Sequence, residues 1–253
     1  MPLHEATKGF DTAADEYQRA RPDYPPDAVA ALVSALRLTS TSRVLELGAG
    51  TGKLTNLLAG KAAAIVALEP VAGMRRKLAA VESARILGGT AEALPLRADA
   101  FDAAVAASAF HWFDGARALV EIHRVLRPGA RLALLWNRRD DSVDWVARMS
   151  EIVNRHEGDA PRYRKGEWRH AFEVAPGLFG PLAERHFPHV HVVAPGGVLA
   201  RVASISFVAA MPQDRREGVL AEVRALLATH PDTRVQEEIP LAYVTDLHWC
   251  MRA

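Results

Sequence analysis

The segment Val44–Thr55, VLELGAGTGKLT, joins a short apolar run to a turn that carries three glycines. Gly48, Gly50 and Gly52 stand at alternate positions, and Glu46 precedes the first of them by two residues. Glycine lets a turn adopt positive φ and lets a ligand approach the main chain. Ligands of open α/β sheets bind at the carboxyl ends of strands, where the following helix offers unbonded N–H groups. The segment therefore predicts a strand, a ligand-binding turn and a helix.

Apolar runs of similar length recur through the first two thirds of the chain and alternate with helical patterns. They lie at Val44–Leu47, Ile65–Leu68, Ala103–Ala107 and Leu132–Trp136, with a weaker run at Arg85–Leu87. Short apolar runs without polar alternation are typical of strands that a parallel sheet buries on both faces. Strands that alternate with helices form right-handed βαβ units. The expected fold class is α/β, with a doubly wound, mostly parallel sheet.

The pattern changes after Asn137. Residues 138–182 are polar, aromatic and irregular, and we interpret them as a helical cap over the upper edge of the sheet, with a small all-helical subdomain as the alternative. The elements expected beyond this segment are a strand near Arg185–Val193, helices near Leu199–Met211 and Arg215–Thr229, and a strand near Leu241–Cys250. An antiparallel pairing of the last two strands would complete a Rossmann-like sheet of seven strands with an antiparallel last strand.

The composition of the chain excludes several classes of protein. Its 253 residues suit one large domain, or one domain with an insertion. The 31 basic and 30 acidic residues leave a net charge of only +1, so nucleic acid is not an expected partner. A single cysteine, Cys250, allows no internal disulfide and no Cys-rich zinc site, which fits a cytoplasmic setting. Without an apolar signal core or a run of about 18 apolar residues, we expect a soluble protein with no membrane partner.

The glycine spacing separates three kinds of ligand-binding turn. A phosphate loop needs G-x-x-x-x-G-K-[ST], but the interval from Gly48 to Gly52 is one residue too short, and Leu54 follows Lys53. A dinucleotide fingerprint, G-x-G-x-x-G, would need a glycine where Lys53 stands. The spacing here is E-x-G-x-G-x-G. Its acid, Glu46, would repel a pyrophosphate and attract a ligand with an ammonium group.

A second acid, Glu69, ends the second expected strand about twenty residues after the glycine turn. An acid at that place can accept hydrogen bonds from both hydroxyls of a ribose. The expected ligand therefore has a ribose and a cationic portion, and S-adenosylmethionine, with its adenosine, ammonium and sulfonium groups, fits. A turn that needs its glycines only for chain geometry is the alternative, and the strand together with Glu46 and Glu69 argues against it.

From here the sequence resembles a class I S-adenosylmethionine-dependent methyltransferase of the small-molecule type, over roughly residues 10–136. VLELGAGTGKLT resembles the first motif of that family, VALEPVAGM the second, GGTAEALPLRADAFDAAVAASAFHWF the third to fourth strands, and VLRPGARLAL the turn into the fifth. The stretch FDTAADEYQRARPDYP and the pair His111-Trp112 are similar to the branch that includes trans-aconitate methyltransferase. Beyond Asn137 the resemblance is loose, so aconitate is not carried over as the substrate.

The resemblance implies a domain organisation and a set of site residues. A single methyltransferase domain would span 1–253, with an N-terminal helical lid segment at 1–40 and the cap at 138–182 as an insertion. The implied cofactor-binding residues are Tyr17, Arg21, Glu46, Gly48, Ala49, Gly50, Gly52, Glu69, Pro70, Met74, Ala91, Glu92 and Ser108. Within this set Glu69 would hold the ribose, Met74, Ala91 and Glu92 would lie by the adenine, and Tyr17 and Arg21 would close over the cofactor.

Methyl transfer is an in-line displacement at carbon, so alignment of acceptor, methyl carbon and sulfur can supply most of the rate enhancement. A hydroxyl or amine acceptor gains from a base, whereas a carboxylate acceptor is already ionised at pH 7. His111 is the candidate catalytic base because it follows the carboxyl end of the fourth strand. His111, Trp112 and Tyr17 are the candidate substrate residues, and side chains that only pack the end of the strand are the alternative.

No metal site is expected from the histidines of RHFPHVHVV. His189 and His191 would share one face of a strand, which is a spacing that metal sites use. No nearby acid completes a ligand set, and strand histidines that face solvent explain the pattern more simply.

Two other functions stay open at this point. One is a regulatory protein that binds S-adenosylmethionine without catalysis, since no single base is obligatory for methyl transfer. The other is an NAD-dependent dehydrogenase, which Glu46 and the glycine spacing disfavour. The expected partner is a small-molecule methyl acceptor, and the expected assembly is a monomer or a homodimer.

Overall fold

The computed structural model describes residues 14–253, with the side chains of Asp15 and Glu16 left aside. Within these residues seven strands form one sheet in the order β3-β2-β1-β4-β5-β7-β6. The strands are β1 (Arg43–Leu47), β2 (Ala64–Leu68), β3 (Ala84–Leu87), β4 (Phe101–Ala107), β5 (Leu126–Arg139), β6 (Ala183–Val193) and β7 (Ile239–Met251). Six are parallel and the last is antiparallel, which confirms the predicted α/β class.

Helices connect the strands and follow them along the chain. They are α1 (Ala14–Ala20), α2 (Pro26–Ala35), α3 (Lys53–Leu58), α4 (Ala72–Leu78), α5 (Gly115–Val125), α6 (Asp144–Asn154), α7 (His170–Val174), α8 (Pro195–Ala203), α9 (Ser206–Ala209) and α10 (Gln213–Thr229). Single 3₁₀ turns stand at Phe110–Trp112, Tyr163–Lys165 and Glu167–Arg169. Within residues 14–253, none of these helices combines the length and the apolar run that crossing a bilayer requires.

The described chain divides into two compact units. The major unit comprises Asp23–Trp136, Pro161–Phe187 and Thr245–Ala253. The minor unit comprises residues 14–22, Asn137–Ala160 and Pro188–Val244. The segment expected as one cap, 138–182, is thus shared between the units, with α6 in the minor unit and α7 in the major unit.

Strand register brings the ends of β1 and β2 to the same edge of the major unit. Leu47 of β1 pairs with Leu68 of β2 in a parallel ladder, so Gly48 and Glu69 leave the sheet side by side. The Ala49 amide then donates to the Leu68 carbonyl at 3.0 Å and holds the glycine turn against β2. The glycine turn and Glu69 therefore lie next to each other, as expected.

Alternating side chains of these strands enter two apolar clusters in the major unit. Leu45 and Leu47 join the cluster that includes Leu119 and Ile122 of α5. Val44 instead joins the cluster that contains Leu32 of α2 and Leu58 of α3. Each fully buried leucine contributes about 1.5–3 kcal/mol by leaving water, which fixes the strands and the edge where the glycine turn lies.

Helix α5 ends at Val125, three residues before Pro128-Gly129, because Leu126 is extended (ψ 147°) and already pairs with Phe101 of β4. The amide of Ala100 donates to the Val125 carbonyl at 2.8 Å and ties the helix end to the start of β4.

The helix expected over Leu199–Met211 is two helices, α8 and α9. The Ser204 hydroxyl donates to the Arg201 carbonyl at 2.8 Å, and Ile205 is extended (ψ 130°). The extended backbone of Ile205 separates α8 from α9, and the Ser204 hydroxyl satisfies one of the last carbonyls of α8.

Candidate functional site

The three glycines of the turn serve different purposes. All three have positive φ: 65° at Gly48, 59° at Gly50 and 87° at Gly52. A Cβ on Gly48 would lie 2.6 Å from the Ala109 Cβ, and one on Gly52 would lie 2.7 Å from Val81 Cγ2. A Cβ on Gly50 would meet nothing within 4 Å. Gly48 and Gly52 thus allow the protein to pack on itself, and Gly50 leaves the open space that a ligand needs.

Glu46 is a buried carboxyl group below this turn. Its side chain is 1% exposed, and Oε2 accepts a hydrogen bond of 2.7 Å from the Thr55 hydroxyl. Burial raises the pKa of Glu46 to about 8, and the nearby Glu69 adds to the effect. The group is therefore protonated in the ligand-free protein at neutral pH, and a neighbouring cation would favour its ionised form.

Glu69 is the second buried acid, at 5% exposure, and it binds the main chain of the turn. Its Oε2 accepts from the Gly50 amide and its Oε1 from the Val71 amide, each at 2.8 Å. Burial raises the pKa of Glu69, while these two hydrogen bonds oppose the shift. Glu69 therefore helps to fix the position of Gly50, the one glycine of this turn that faces open space.

Sequence reasoning missed Arg75, which supports Glu69 from α4. Its Nη1 donates to the carbonyls of Glu69 at 2.9 Å and Pro70 at 2.6 Å. The guanidinium also acts to lower the pKa of Glu69. A basic residue six positions after the acid, on the next helix, is the only signal that the sequence offers for this role.

The residues predicted to lie beside the adenine follow β2 and β3, at the edge of the sheet that carries the glycine turn. Met74 and Ala91 are buried, and Glu92 is half-buried. Glu92 Oε1 accepts from the Asp114 amide at 2.9 Å, so one of its oxygens already has a donor. The predicted role of Glu92 toward an adenine amino group rests on its other oxygen.

The chain leaves β4 through a strained residue, Ser108. Its φ is 53°, a left-handed value that is uncommon outside glycine and that costs on the order of 1–3 kcal/mol. Its amide donates to the Leu135 carbonyl at 2.6 Å, and its hydroxyl shares a hydrogen bond of 3.2 Å with Tyr24. This bend starts the turn that carries His111 and Trp112.

His111 is held by a tryptophan that sequence reasoning assigned only to a strand. The indole Nε1–H of Trp136, which is buried, donates to His111 Nδ1 at 3.0 Å. Because Nδ1 accepts this bond, the neutral ring carries its proton on Nε2. The arrangement presents His111 as a hydrogen-bond donor at Nε2, and it argues against Nδ1 as the catalytic base. Trp112 lies 5.2 Å from the His111 ring, measured between centroids.

A polar and aromatic cluster continues from Trp136 through residues far apart in the chain. Tyr163 stacks on Trp136 with centroids 4.3 Å apart. The Tyr163 hydroxyl lies 2.9 Å from Asp246 Oδ2 and 3.0 Å from His248 Nε2. Burial lowers the pKa of His248 to about 4, and the Arg169 guanidinium acts in the same direction, so this ring is neutral at neutral pH.

The histidines of β6 differ in their surroundings. His186 pairs with the buried Asp246, Nδ1 to Oδ1, at 2.7 Å. His189 and His191 are half-buried, and the His189 ring stacks on Tyr243 with centroids 5.7 Å apart. Among residues 14–253, no three His, Cys, Asp or Glu side chains gather as metal ligands would.

Tyr17 and Arg21 belong to the minor unit. The Arg21 guanidinium lies 4.7 Å from the centre of the Tyr17 ring, and its Nη2 donates to the Ser204 carbonyl at 3.0 Å. Residues 1–13 of the predicted lid segment, 1–40, lie outside the described part of the chain. The role of Tyr17 and Arg21 over a cofactor stays a prediction.

The glycine turn fits S-adenosylmethionine in its chemistry. The amide of Gly50, beside the open space, is bound to the buried Glu69, and a second buried acid, Glu46, interacts electrostatically with Glu69. A cationic nucleoside would satisfy both acids. The Thr51 hydroxyl is buried and has no hydrogen-bond partner among the described residues, which leaves a polar group for a ligand. Such orphaned groups are uncommon in native interiors and favour a binding role.

Known proteins resemble this chain, both around the glycine turn and over most of its length. Residues 45–134 match the family model described as a methyltransferase domain. An uncharacterised methyltransferase of Mycobacterium tuberculosis is 40% identical over 245 residues, covering 96% of this chain and 94% of the relative. The malonyl-[acyl-carrier protein] O-methyltransferase of Methylococcus capsulatus is 41% identical over 99 residues, 36% of each chain.

A solved structure supports the fold. A candidate type II methyltransferase of Anaeromyxobacter dehalogenans aligns with a TM-score of 0.69 and 24% identity, covering 92% of this chain and 97% of that one. The names of these proteins do not specify trans-aconitate, so that part of the resemblance stays a prediction. The sequence relatives and the fold agree on the broader assignment: the chain belongs to the family of class I S-adenosylmethionine-dependent methyltransferases.

Proposed function

We propose that this enzyme transfers a methyl group from S-adenosylmethionine to a small-molecule acceptor, mainly by aligning the reactants. The observation that carries the proposal is the open space at Gly50, whose amide donates to the buried Glu69, together with the second buried acid, Glu46, that interacts with Glu69. When bound, the cofactor supplies an electrophilic methyl group on a sulfonium. The chain need not activate it further, and the work left to the protein is binding, orientation and exclusion of water.

Each flanking residue has a proposed part in that work. Glu69 accepts hydrogen bonds from the ribose, and Arg75 keeps its main chain in place. Glu46 faces the positive end of the ligand and gives up its proton when that charge arrives. Met74, Ala91 and Glu92 enclose the adenine ring.

A carboxylate oxygen is the acceptor atom that these residues suit best. It is ionised at neutral pH and needs no base, and His111 is oriented by Trp136 to donate a hydrogen bond rather than to accept a proton. The Methylococcus capsulatus relative is named for O-methylation of malonyl-[acyl-carrier protein], which agrees with an oxygen acceptor. The donor at His111 would orient the acceptor while Trp112 lines its path.

The test is turnover with a panel of acceptors. The full chain is incubated with S-adenosylmethionine and sets of carboxylic acids, alcohols and amines, and both S-adenosylhomocysteine and the methylated product are measured by mass spectrometry. We expect methyl esters from one or more acids. Tight cofactor binding with no product from any set would identify a binding protein, and binding of NAD without S-adenosylmethionine would reject the proposal.

A further inference from the structure

Arg201 of α8 is a buried cation in the minor unit. The residue is 7% exposed, and its Nε donates to the hydroxyl of the fully buried Tyr243 at 2.9 Å. Its Nη1 is buried without a hydrogen-bond partner among the described residues. No carboxylate of those residues forms an ion pair with it, unlike the exposed Arg155, which pairs with Glu222 at 2.7 Å.

An unpaired arginine in an interior needs a physical explanation. The guanidinium stays protonated at every pH at which a protein is folded. Its burial is costly unless an anion and further acceptors compensate for the lost water. An apolar side chain would fill the same place on α8, beside the buried Val198 and Val202, without that cost.

The turn after α8 adds more donors. Ser206 is 2% exposed, and its hydroxyl has no hydrogen-bond partner among the described residues. The Arg21 guanidinium reaches the same turn, where its Nη2 donates to the Ser204 carbonyl. The carboxylate of Asp144, also in the minor unit, is engaged by Arg148 and His230 instead. This part of the unit offers positive charge and hydroxyl groups to an acceptor that the described chain does not provide.

We propose that Arg201 is the central group of an anion-binding site in the minor unit, and that its ligand is a small molecule bearing a carboxylate or a phosphate. Both groups match the planar fork of a guanidinium and can bind it through two hydrogen bonds. The Tyr243 hydroxyl accepts the hydrogen bond from Arg201 Nε and so fixes the plane of the guanidinium. Ser206 supplies a further donor. Binding of the anion can be measured without methyl transfer, so the proposal can fail while the proposed function stands.

The experiment measures thermal unfolding of the full chain in citrate, in phosphate and in sodium chloride at matched ionic strength. A ligand that binds only the folded state raises the melting temperature, by about 2–5 °C at a concentration well above its Kd. We expect citrate or phosphate to raise the melting temperature. The anion with the lower Kd shows whether the natural ligand bears a carboxylate or a phosphate. Arg201→Met should abolish the rise and should melt no lower than the wild type in chloride, because it removes an unpaired buried charge.

Arg155→Met is the matched control, since it removes an exposed, paired arginine of the same unit and should keep the full effect of the anion. If Arg201→Met does not fold, Tyr243→Phe keeps the charge and should raise the Kd of the anion about 2- to 10-fold. An equal rise in wild type and Arg201→Met, or no rise with either anion, would overturn the site. So would chemical shifts of the Arg201 side chain that stay constant while the anion is titrated.

Discussion

The major and minor units each bury charged side chains, but they manage the charge in different ways. In the major unit Glu46 and Glu69 receive hydrogen bonds, and burial raises the pKa of Glu46 to about 8, so a bound proton can neutralise it. In the minor unit one nitrogen of Arg201 donates to the Tyr243 hydroxyl, and no carboxylate of residues 14–253 pairs with the guanidinium, which cannot release its proton. A buried acid can therefore exist without its ligand, whereas a buried arginine depends on an anion.

The sharpest way to break this comparison is to remove the charge of Glu69. We expect Glu69→Gln to weaken S-adenosylmethionine binding about 10- to 100-fold, because bonds to a charged acceptor are worth about 1.5–3 kcal/mol and Gly50 loses its anchor. Calorimetric titration measures the affinity. The exposed Glu82→Gln is the control, and unchanged binding in Glu69→Gln would show that the acid serves only the turn.

His111 tests whether the major unit also holds a base. We expect His111→Ala to lower kcat about 3- to 30-fold, less than the roughly 10²–10⁴-fold loss of a general base. Trp136→Phe removes the donor to Nδ1, so it should cost a similar factor, and the double variant should lose little more. A loss beyond about 10³-fold, with a pH profile that follows a single base, would restore His111 as the base.

Glu46 makes the stability of the major unit depend on pH. Its folded-state pKa lies above its ordinary value of 4.5, so the folded protein holds a proton that the unfolded chain releases. Its contribution to stability is full below pH 4.5 and is lost as the pH rises toward 8. Glu46→Gln should therefore raise the free energy of unfolding by roughly 1–3 kcal/mol at pH 8 and by little at pH 5.

Urea unfolding of the ligand-free protein at the two pH values measures this difference. A wild type and a variant with the same dependence on pH would mean that Glu46 is already ionised. The same group predicts that cofactor binding near neutral pH releases up to about one proton, which calorimetry in buffers of different ionisation enthalpy detects.

The smallest effect is expected from Arg75. Arg75→Met removes the hydrogen bonds to the carbonyls of Glu69 and Pro70, and we expect cofactor affinity to fall about 3- to 10-fold. The neighbouring Arg76→Met, at an exposed position of the same helix, should leave the affinity unchanged. An equal loss in both variants would point to the net charge of α4 rather than to the position of Glu69.

Short-range patterns predicted the sheet and the edge that carries the site. The runs around β1 and β2, together with Glu46 and Glu69, could be read from the sequence because each signal lies within a few residues of its strand. The separate purposes of the three glycines could not be read in this way. Gly48 and Gly52 contact Ala109 and Val81, which approach only after the fold forms.

The same limit explains the residues that were missed. Tyr163 contacts Trp136 and also Asp246, which lies more than 80 positions further along the chain, and no period or motif connects the three residues. Arg201 reads as an ordinary member of an amphipathic helix, and only its packing shows that it is buried. The break between α8 and α9 falls at the extended Ile205, a position that helix propensity alone does not predict.

The left-handed bend at Ser108 has a consequence for how the enzyme could change. Glycine at this position would adopt the same φ without steric cost, and it would also give the unfolded chain more freedom. Valine or isoleucine would force the strand to exit in another direction and would carry the imidazole and indole that follow away from their places. Descendants of this chain that acquire new acceptors therefore have a narrow choice of residues here.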